Sequence, residues 1–171
     1  MSGTLVLAEH VVASIARDCR KHPDTETGGL LIGQRIGPDI VVPFVVGAGP
    51  HARRARSSFE PDPAWQQEHL DFLFERFGLD YVGDWHLHPS DFDRPSDQDY
   101  RTAFEIVNSP SWEVLEAVFP IAVNVNGEIR LRAYTLSRFA ARAFVELPVV
   151  VVPDEEPRMR FLLCGDRCTR R

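Results

Sequence analysis

The residues with the most chemistry in them lie in one stretch, Gly83-Asp84-Trp85-His86-Leu87-His88-Pro89, which runs directly into Ser90 to Asp99. No other part of the chain concentrates so many side chains able to hold a metal ion. His86 and His88 stand two apart. On an extended chain such residues face the same side, roughly 6–7 Å apart along the strand, so both imidazoles can approach one ion. A single histidine is most often a hydrogen-bonded core or surface residue. Two in phase, with a carboxylate close behind, are harder to account for in that way. Asp99, three residues after Ser96, is the carboxylate that fits, and Asp91, Asp93 and Asp97 are rivals on a loop that would have to fold back.

Two histidines and one aspartate leave the fourth corner of a tetrahedral zinc for water, which is how a catalytic rather than a structural zinc is built. Zinc lowers the pKa of its water from about 15.7 to about 7, which supplies hydroxide at neutral pH, and it also polarises a scissile carbonyl. One group is still needed, to take a proton from water and return it to a leaving amine, a contribution of about 10²–10⁴-fold. Glu26, beside Gly28-Gly29, is the candidate, and from composition alone it is equally an ordinary loop acid. Ser96 and Asp99 have a second explanation too. Ser-x-x-Asp at a helix start resembles a capping box, in which the serine satisfies a free backbone N–H and the acid reaches back. A cap leaves the paired histidines unexplained, and a ligand on a first helical turn is held by a rigid element. The two roles compete for the Asp99 carboxylate.

The elements around this stretch alternate. Leu5-Val6-Leu7 reads as a short strand and Ala8 to Arg20 as a helix, with Val11, Val12, Ile15, Ala16 and Cys19 on one face. His22-Pro23-Asp24 ends it. Glu26 to Gly33 suggests a strand buried on both faces and entered by a tight approach at the glycine pair. Gly37-Pro38-Asp39 turns it into a second strand, Ile40 to Val46. Gly47 to Ser58 is a loop and the best candidate for a flap. Asp62 caps a helix with Pro63 in its first turn, Trp65, His69, Phe72, Leu73 and Phe77 form a core stripe, and Gly78 ends it. Tyr81 to His88 is a strand that runs into the histidines. Pro95-Ser96 opens the next helix, with Tyr100, Ala103, Phe104 and Val107 at helical spacing, and Asn108-Ser109-Pro110 stops it. Val118 to Val125 and Glu128 to Thr135 form a hairpin about Asn126-Gly127. Val145 to Val152 reads as a last strand. The expected fold is therefore α/β, a curved mixed sheet flanked by helices, with one domain over residues 1–152 and an unpatterned tail over 153–171.

A chain of 171 residues suits one domain with a real core. The hydrophobic share of 44% and charged share of 26% are those of a soluble globular protein. A net charge of −6 argues against broad nucleic-acid binding, and Arg53, Arg54 and Arg56 read as solvated loop charges. Cys19, Cys164 and Cys168 are too few and too uneven for a disulfide framework, and the last two lack the second pair of a structural metal site. Met1 to Thr4 shows no secretory leader, and Val149 to Val152 is far too short to span a bilayer. The expectation is a cytoplasmic protein with no nucleic-acid and no membrane partner.

His86-x-His88, seven residues, Ser96, two residues, Asp99 resembles the JAMM signature of the JAB/MPN metalloproteases, including Pro89 after the second histidine and Pro95 before the serine. Glu26-x-Gly28-Gly29-x-Leu31-x-Gly33 looks like that family's first motif block, and the likeness runs from Leu5 to about Leu136. The resemblance implies a single JAB/MPN domain of cytidine-deaminase-like fold. It implies one zinc per chain held by His86, His88 and Asp99, a water activated by Glu26, and an oxyanion steadied by Ser96. Prokaryotic members of this size are similar to enzymes that cut after the Gly-Gly tail of ubiquitin-like or sulfur-carrier proteins. The expected activity is hydrolysis of an amide or isopeptide bond at such a tail, with activating and conjugating enzymes of the same pathway as further partners. Two alternatives are a peptidase that trims a sulfur-carrier precursor and, in another class, a non-catalytic scaffold. An extended tail is expected to add as a strand near Ile32–Ile36.

Overall fold

A computed structural model describes residues 3–110, 114–139 and 143–164. Strand β1 (Leu5–Ala8) leads into helix α1 (Glu9–Lys21), which buries Val11, Ile15 and Cys19 at the expected helical spacing. Strands β2 (Gly28–Ile36) and β3 (Asp39–Val46) form the expected hairpin about Gly37, whose φ is +60°. Gly47 to Ser58, expected as a loop, contains β4 (Arg53–Ala55), which pairs with β5 (Ser58–Glu60). This small hairpin is tied to the body. Glu26 N–H donates to the Ala55 carbonyl at 2.8 Å, and Arg54 Nε donates to Thr27 Oγ1 at 3.0 Å.

Helix α2 (Pro63–Phe77) starts where expected: the Asp62 carboxylate accepts from Trp65 N–H at 3.2 Å, and Pro63 stands in the first turn. Its inner face centres on Gln66, Leu73 and Phe77 rather than on the full aromatic stripe. Phe72 stays 59% exposed because, at 3.6 residues per turn, it falls outside that arc. Strand β6 (Asp80–His88) and helix α3 (Asp97–Asn108) follow as expected.

Two expected strands are each broken by a proline, which cannot donate to a ladder. Val118 to Val125 is divided into β7 (Glu116–Val118) and β8 (Ile121–Val125), with Pro120 between them. Strand β9 (Glu128–Ser137) returns through Asn126 and Gly127, both with positive φ as a tight hairpin turn requires. Val145 to Val152 is divided at Pro148 into β10 (Val145–Leu147) and β11 (Val149–Val152). The sheet order is β10-β9-β7-β6-β2-β3-β1-β11, with β8 also pairing with β6 and β9. Its two ends, β10 and β11, are joined through Pro148 alone, so the sheet curls round on itself. Parallel pairs (β1 with β3 and β11, β6 with β7 and β8) mix with antiparallel ones, which is the curved mixed sheet of the sequence reading.

The last described segment, expected as unpatterned tail, forms helix α4 (Pro157–Cys164), with Met159 and Leu162 buried. His10 Nδ1 meets Asp154 Oδ1 at 2.8 Å, and Arg158 donates to Asp39 at 3.1 Å, so the segment is pinned to α1 and β3. Only two buried apolar residues mark this helix, too few to stand out as a period in the sequence. Cys168 lies outside the described residues.

Strand β2 lies in the middle of the sheet, with β3 on one side and β6 on the other. The expected peptide edge near Ile32–Ile36 is therefore corrected in part: Ile32 is paired with Phe44 on one side and Tyr81 on the other, whereas Gln34, Arg35 and Ile36 pair with β3 alone, at the end of the strand away from His86. Gly28 pairs with His86 and Gly29 with Trp85. A Cβ on Gly29 would collide with the Val46 carbonyl and sit 3.1 Å from the Trp85 indole nitrogen, and one on Gly28 would sit 2.9 Å from the Phe59 ring. The glycine pair is thus the tight approach the sequence suggested. Gly29→Ala is expected to lower unfolding stability by about 1–3 kcal/mol through overpacking. Gly47→Ala, where a Cβ meets open space, should stay within about 0.5 kcal/mol. Urea unfolding of the two variants checks this, and equal losses would contradict it.

Candidate metal centre

Past the bulge at Val82, alternation along β6 buries Gly83, Trp85 and Leu87 on one face and turns Asp84, His86 and His88 to the other. The end of the strand is held on both sides. Leu87 N–H donates to the Thr27 carbonyl at 2.7 Å, and His86 N–H to the Pro120 carbonyl at 3.1 Å. The Pro120 break therefore passes β6 from β7 to β8 just where the histidines begin, and His86 and His88 pair with Ile121 and Val123. Gly83 allows the crossing, since a Cβ there would run into the Val118 carbonyl.

Helix α3 brings the carboxylate. Ser96 Oγ accepts from Asp99 N–H at 3.2 Å, and Asp99 Oδ2 accepts from Ser96 N–H at 2.6 Å, a complete capping box. The same carboxylate meets the imidazoles, Oδ1 at 3.2 Å from His86 Nε2 and Oδ2 at 3.4 Å from His88 Nε2. Cap and cluster are compatible because Oδ1 is left to His86 while Oδ2, with more than one lone pair, serves both the Ser96 amide and His88. His86 Nε2 and His88 Nε2 are 2.8 Å apart.

These three side chains are the one group of potential metal-binding residues among those described, with donor atoms all within 4.8 Å of one another. A tetrahedral ion with ligands at 2.0–2.1 Å needs donors about 3.3 Å apart. Two of the three separations already match, and the histidine pair needs to open by about half an ångström. The tautomer of His88 also fits. Its Nδ1 lies 2.7 Å from the Phe92 carbonyl, which can only accept, so in the neutral ring Nδ1 carries the proton and Nε2 keeps its lone pair. Two imidazoles and one carboxylate suit zinc among the common metals. Of the rival acids, Asp93 is taken by Arg132 at 2.8 Å, and Asp91 and Asp97 do not join the group.

Electrostatics bind the group together. Burial opposes the charge on Asp99, yet hydrogen bonds from the two imidazoles and the Ser96 amide outweigh it and hold the carboxyl well below the usual carboxylate range. Burial also opposes a charged His88, but the hydrogen bonds to Asp99 and Phe92 raise its pKa. Burial pushes Glu26 upward, with His86 and His88 opposing and Asp99 assisting, which places Glu26 within electrostatic reach of all three. Asp84, on the same face of β6, is pushed by desolvation up to about 6 and accepts from Tyr81 Oη at 2.6 Å. The sequence reading passed over the Phe92 carbonyl, since a backbone acceptor leaves no residue-type signature.

Residues 8–137 match the sequence model of a family described as prokaryotic homologs of the JAB domain. The chain is 34% identical over 108 residues to a probable metalloprotease, y4qB, of Sinorhizobium fredii, covering 61% of this chain and 66% of that protein. It is 35% identical over 77 residues to a CD-NTase/cGAS isopeptidase of Escherichia coli, covering 44% and 49%. A protein of the same name from Enterobacter hormaechei is 29% identical over 121 residues, covering 69% and 66%. The chain thus spans between about half and just under two thirds of the length of these relatives. The solution structure of protein DSY2949 from Desulfitobacterium hafniense aligns with a TM-score of 0.69 at 21% identity, covering 90% of this chain and 96% of that one, a likeness of fold alone. Among the described residues, no helix is long and apolar enough to cross a membrane.

The metal-free protein should show a pH signature. His88, raised on folding, contributes stability that is full below its unfolded pKa of about 6.5 and is lost as pH rises through the folded value. Asp99, lowered on folding, contributes stability present above about 3.9 and lost as pH falls. Urea midpoints of chelator-treated protein should therefore fall as pH rises above about 6.5, and fall less in Asp99→Asn. Parallel pH profiles for the two proteins would refute the coupling.

Proposed function

Because this chain belongs to the family of prokaryotic JAB-domain homologs, we propose that it is a metal-dependent peptidase or isopeptidase, and that it cuts the bond after the Gly-Gly tail of a ubiquitin-like protein. The observation that carries the reading is the convergence of His86 Nε2, His88 Nε2 and the Asp99 carboxylate at the end of β6 and the first turn of α3. We assign these three as the ligands of one zinc, which when bound supplies an acidified water and a polarised carbonyl.

The chain's own residues do the rest. Glu26 is the proton carrier: its carboxylate takes a proton from the attacking water and delivers it to the leaving nitrogen as the C–N bond breaks. Burial pushes its carboxyl above the ordinary glutamate value, which makes it a stronger acceptor for that proton. Ser96 Oγ accepts from Asp99 N–H with a lone pair and keeps its own hydroxyl proton, which is available to the carbonyl oxygen as negative charge builds there. Capping and oxyanion support are therefore compatible in one serine.

An isopeptide to lysine is the favoured bond because two of the relatives are named isopeptidases. Trimming of a sulfur-carrier precursor is the second reading, since it needs the same catalytic groups. The protein substrate sets the pathway partners, which on this reading include activating and conjugating enzymes.

Incubation with a ubiquitin-like protein joined through Gly-Gly to a lysine side chain, and with the same protein bearing a linear C-terminal extension, separates the readings. The expected result is faster release from the lysine conjugate. Release from the linear extension alone would favour trimming, and protein purified without chelators that lacks about one zinc per chain would fit the scaffold. Glu26→Gln should keep about one zinc per chain and lose about 10²–10⁴-fold in turnover. If that variant instead lost its zinc, the assignment of Glu26 as base rather than ligand would fail.

A further inference from the structure

The seven residues between His88 and Ser96 form no helix or strand, yet His88 depends on one of them. The Phe92 carbonyl fixes the His88 tautomer, and the Phe92 ring stacks on the imidazole at 6.1 Å and 13°, with the residue 52% exposed. Within the loop, Phe92 has only a 3.4 Å contact from its N–H to Ser90 Oγ. What holds it comes from outside. Arg132 donates to the Asp93 carboxylate at 2.8 Å, and Tyr134 Oη donates to the Asp93 carbonyl at 3.0 Å. Both ties land on the residue next to Phe92, one on its side chain and one on its backbone.

The sheet explains why these two residues can reach. Arg132 and Tyr134 are two apart on β9, so they share a face. Ile121 pairs with His86 on one side and Arg132 on the other, which puts Arg132 in the same row as the first histidine and on the same face. Glu146 of β10 holds the guanidinium from behind, with both of its oxygens 2.8–2.9 Å from Arg132 Nη2. Tyr134 packs with Ile121 and Val123 into a small buried cluster on that face. A lone surface ion pair contributes little. This one belongs to a network with a bidentate contact on one side and a backbone tie beside it.

We propose that Arg132 and Tyr134 are positioning residues for the metal: by gripping Asp93 they keep the Phe92 carbonyl on His88 Nδ1 and so keep His88 Nε2 turned toward the ion. The inference rests on the assignment of His88 as a ligand. It concerns neither the base nor the substrate. Groups that orient a ligating histidine in this way typically account for 10–100-fold in metal affinity.

The test measures zinc affinity by competition with a chromophoric chelator, alongside kcat, KM and the melting temperature of the metal-free form. Arg132→Ala should weaken zinc binding by about 10–100-fold. Tyr134→Phe should move it in the same direction by less. Arg132→Lys, which keeps one contact to Asp93, should recover part of the loss. At saturating zinc the KM of Arg132→Ala should stay near the wild-type value. The metal-free melting temperatures should change little, which distinguishes positioning from general destabilisation. Zinc affinity of Arg132→Ala within twofold of wild type overturns this inference alone. Wild-type protein that takes up no zinc overturns the metal assignment with it.

Discussion

Asp99 Oδ2 accepts the Ser96 amide at 2.6 Å, while Oδ1 stands 3.2 Å from His86 Nε2, and the site depends on that sharing. A free carboxylate side chain in water would have rotamers to lose before it could serve an ion. Here the capping box has already fixed it, in the first turn of α3. The negative charge also sits at the end of the helix where the macrodipole favours it. The helix start and the proposed ion-binding face are thus one structural feature.

The histidines are fixed by the sheet in the same manner. The end of β6 is paired with the segment before β2 on one side and with β8 on the other, so His86 and His88 have a backbone held along both edges. Two features of the sequence make this possible. Gly28 and Gly29 let β2 come close beside Trp85 and His86, and Pro120 ends β7 so that β8 can take over the pairing. Glu26 shares the arrangement, because its amide is bonded to the β4–β5 hairpin and its neighbour Thr27 to β6. The proposed ligands and the proposed base therefore stand on backbone whose position is set by main-chain hydrogen bonds. Such positioning serves catalysis better than side-chain contacts alone.

Much of this was legible in the sequence, for physical reasons. The phase of His86 and His88 follows from strand geometry, and Ser96 and Asp99 from the chemistry of a helix start. Asn126-Gly127 marked its hairpin because both residues tolerate positive φ. What escaped the sequence was non-local. The breaks at Pro120 and Pro148 are hidden because the β-branched runs around them look continuous, and only the pairing shows that the halves at Pro148 join different neighbours, β9 and β1, while those at Pro120 both pair with β6 and β9. Where the edge of β2 begins is decided by β6, about fifty residues later, which covers Ile32 and Gly33 and leaves Gln34 to Ile36 paired with β3 alone. Helix α4 carried too few buried residues to declare itself. The ties from Arg132 and Tyr134 to Asp93 span about forty residues and end partly on a backbone carbonyl, which no residue type encodes.

The most direct examination of the central claim is a crystal structure of the protein purified without chelators, with anomalous data collected above and below the zinc absorption edge. The account predicts a single zinc peak among His86 Nε2, His88 Nε2 and an Asp99 oxygen, at about 2.0–2.2 Å from each, with a solvent oxygen completing the tetrahedron. A peak elsewhere, or three side chains closed on one another with zinc supplied and no ion between them, would contradict it.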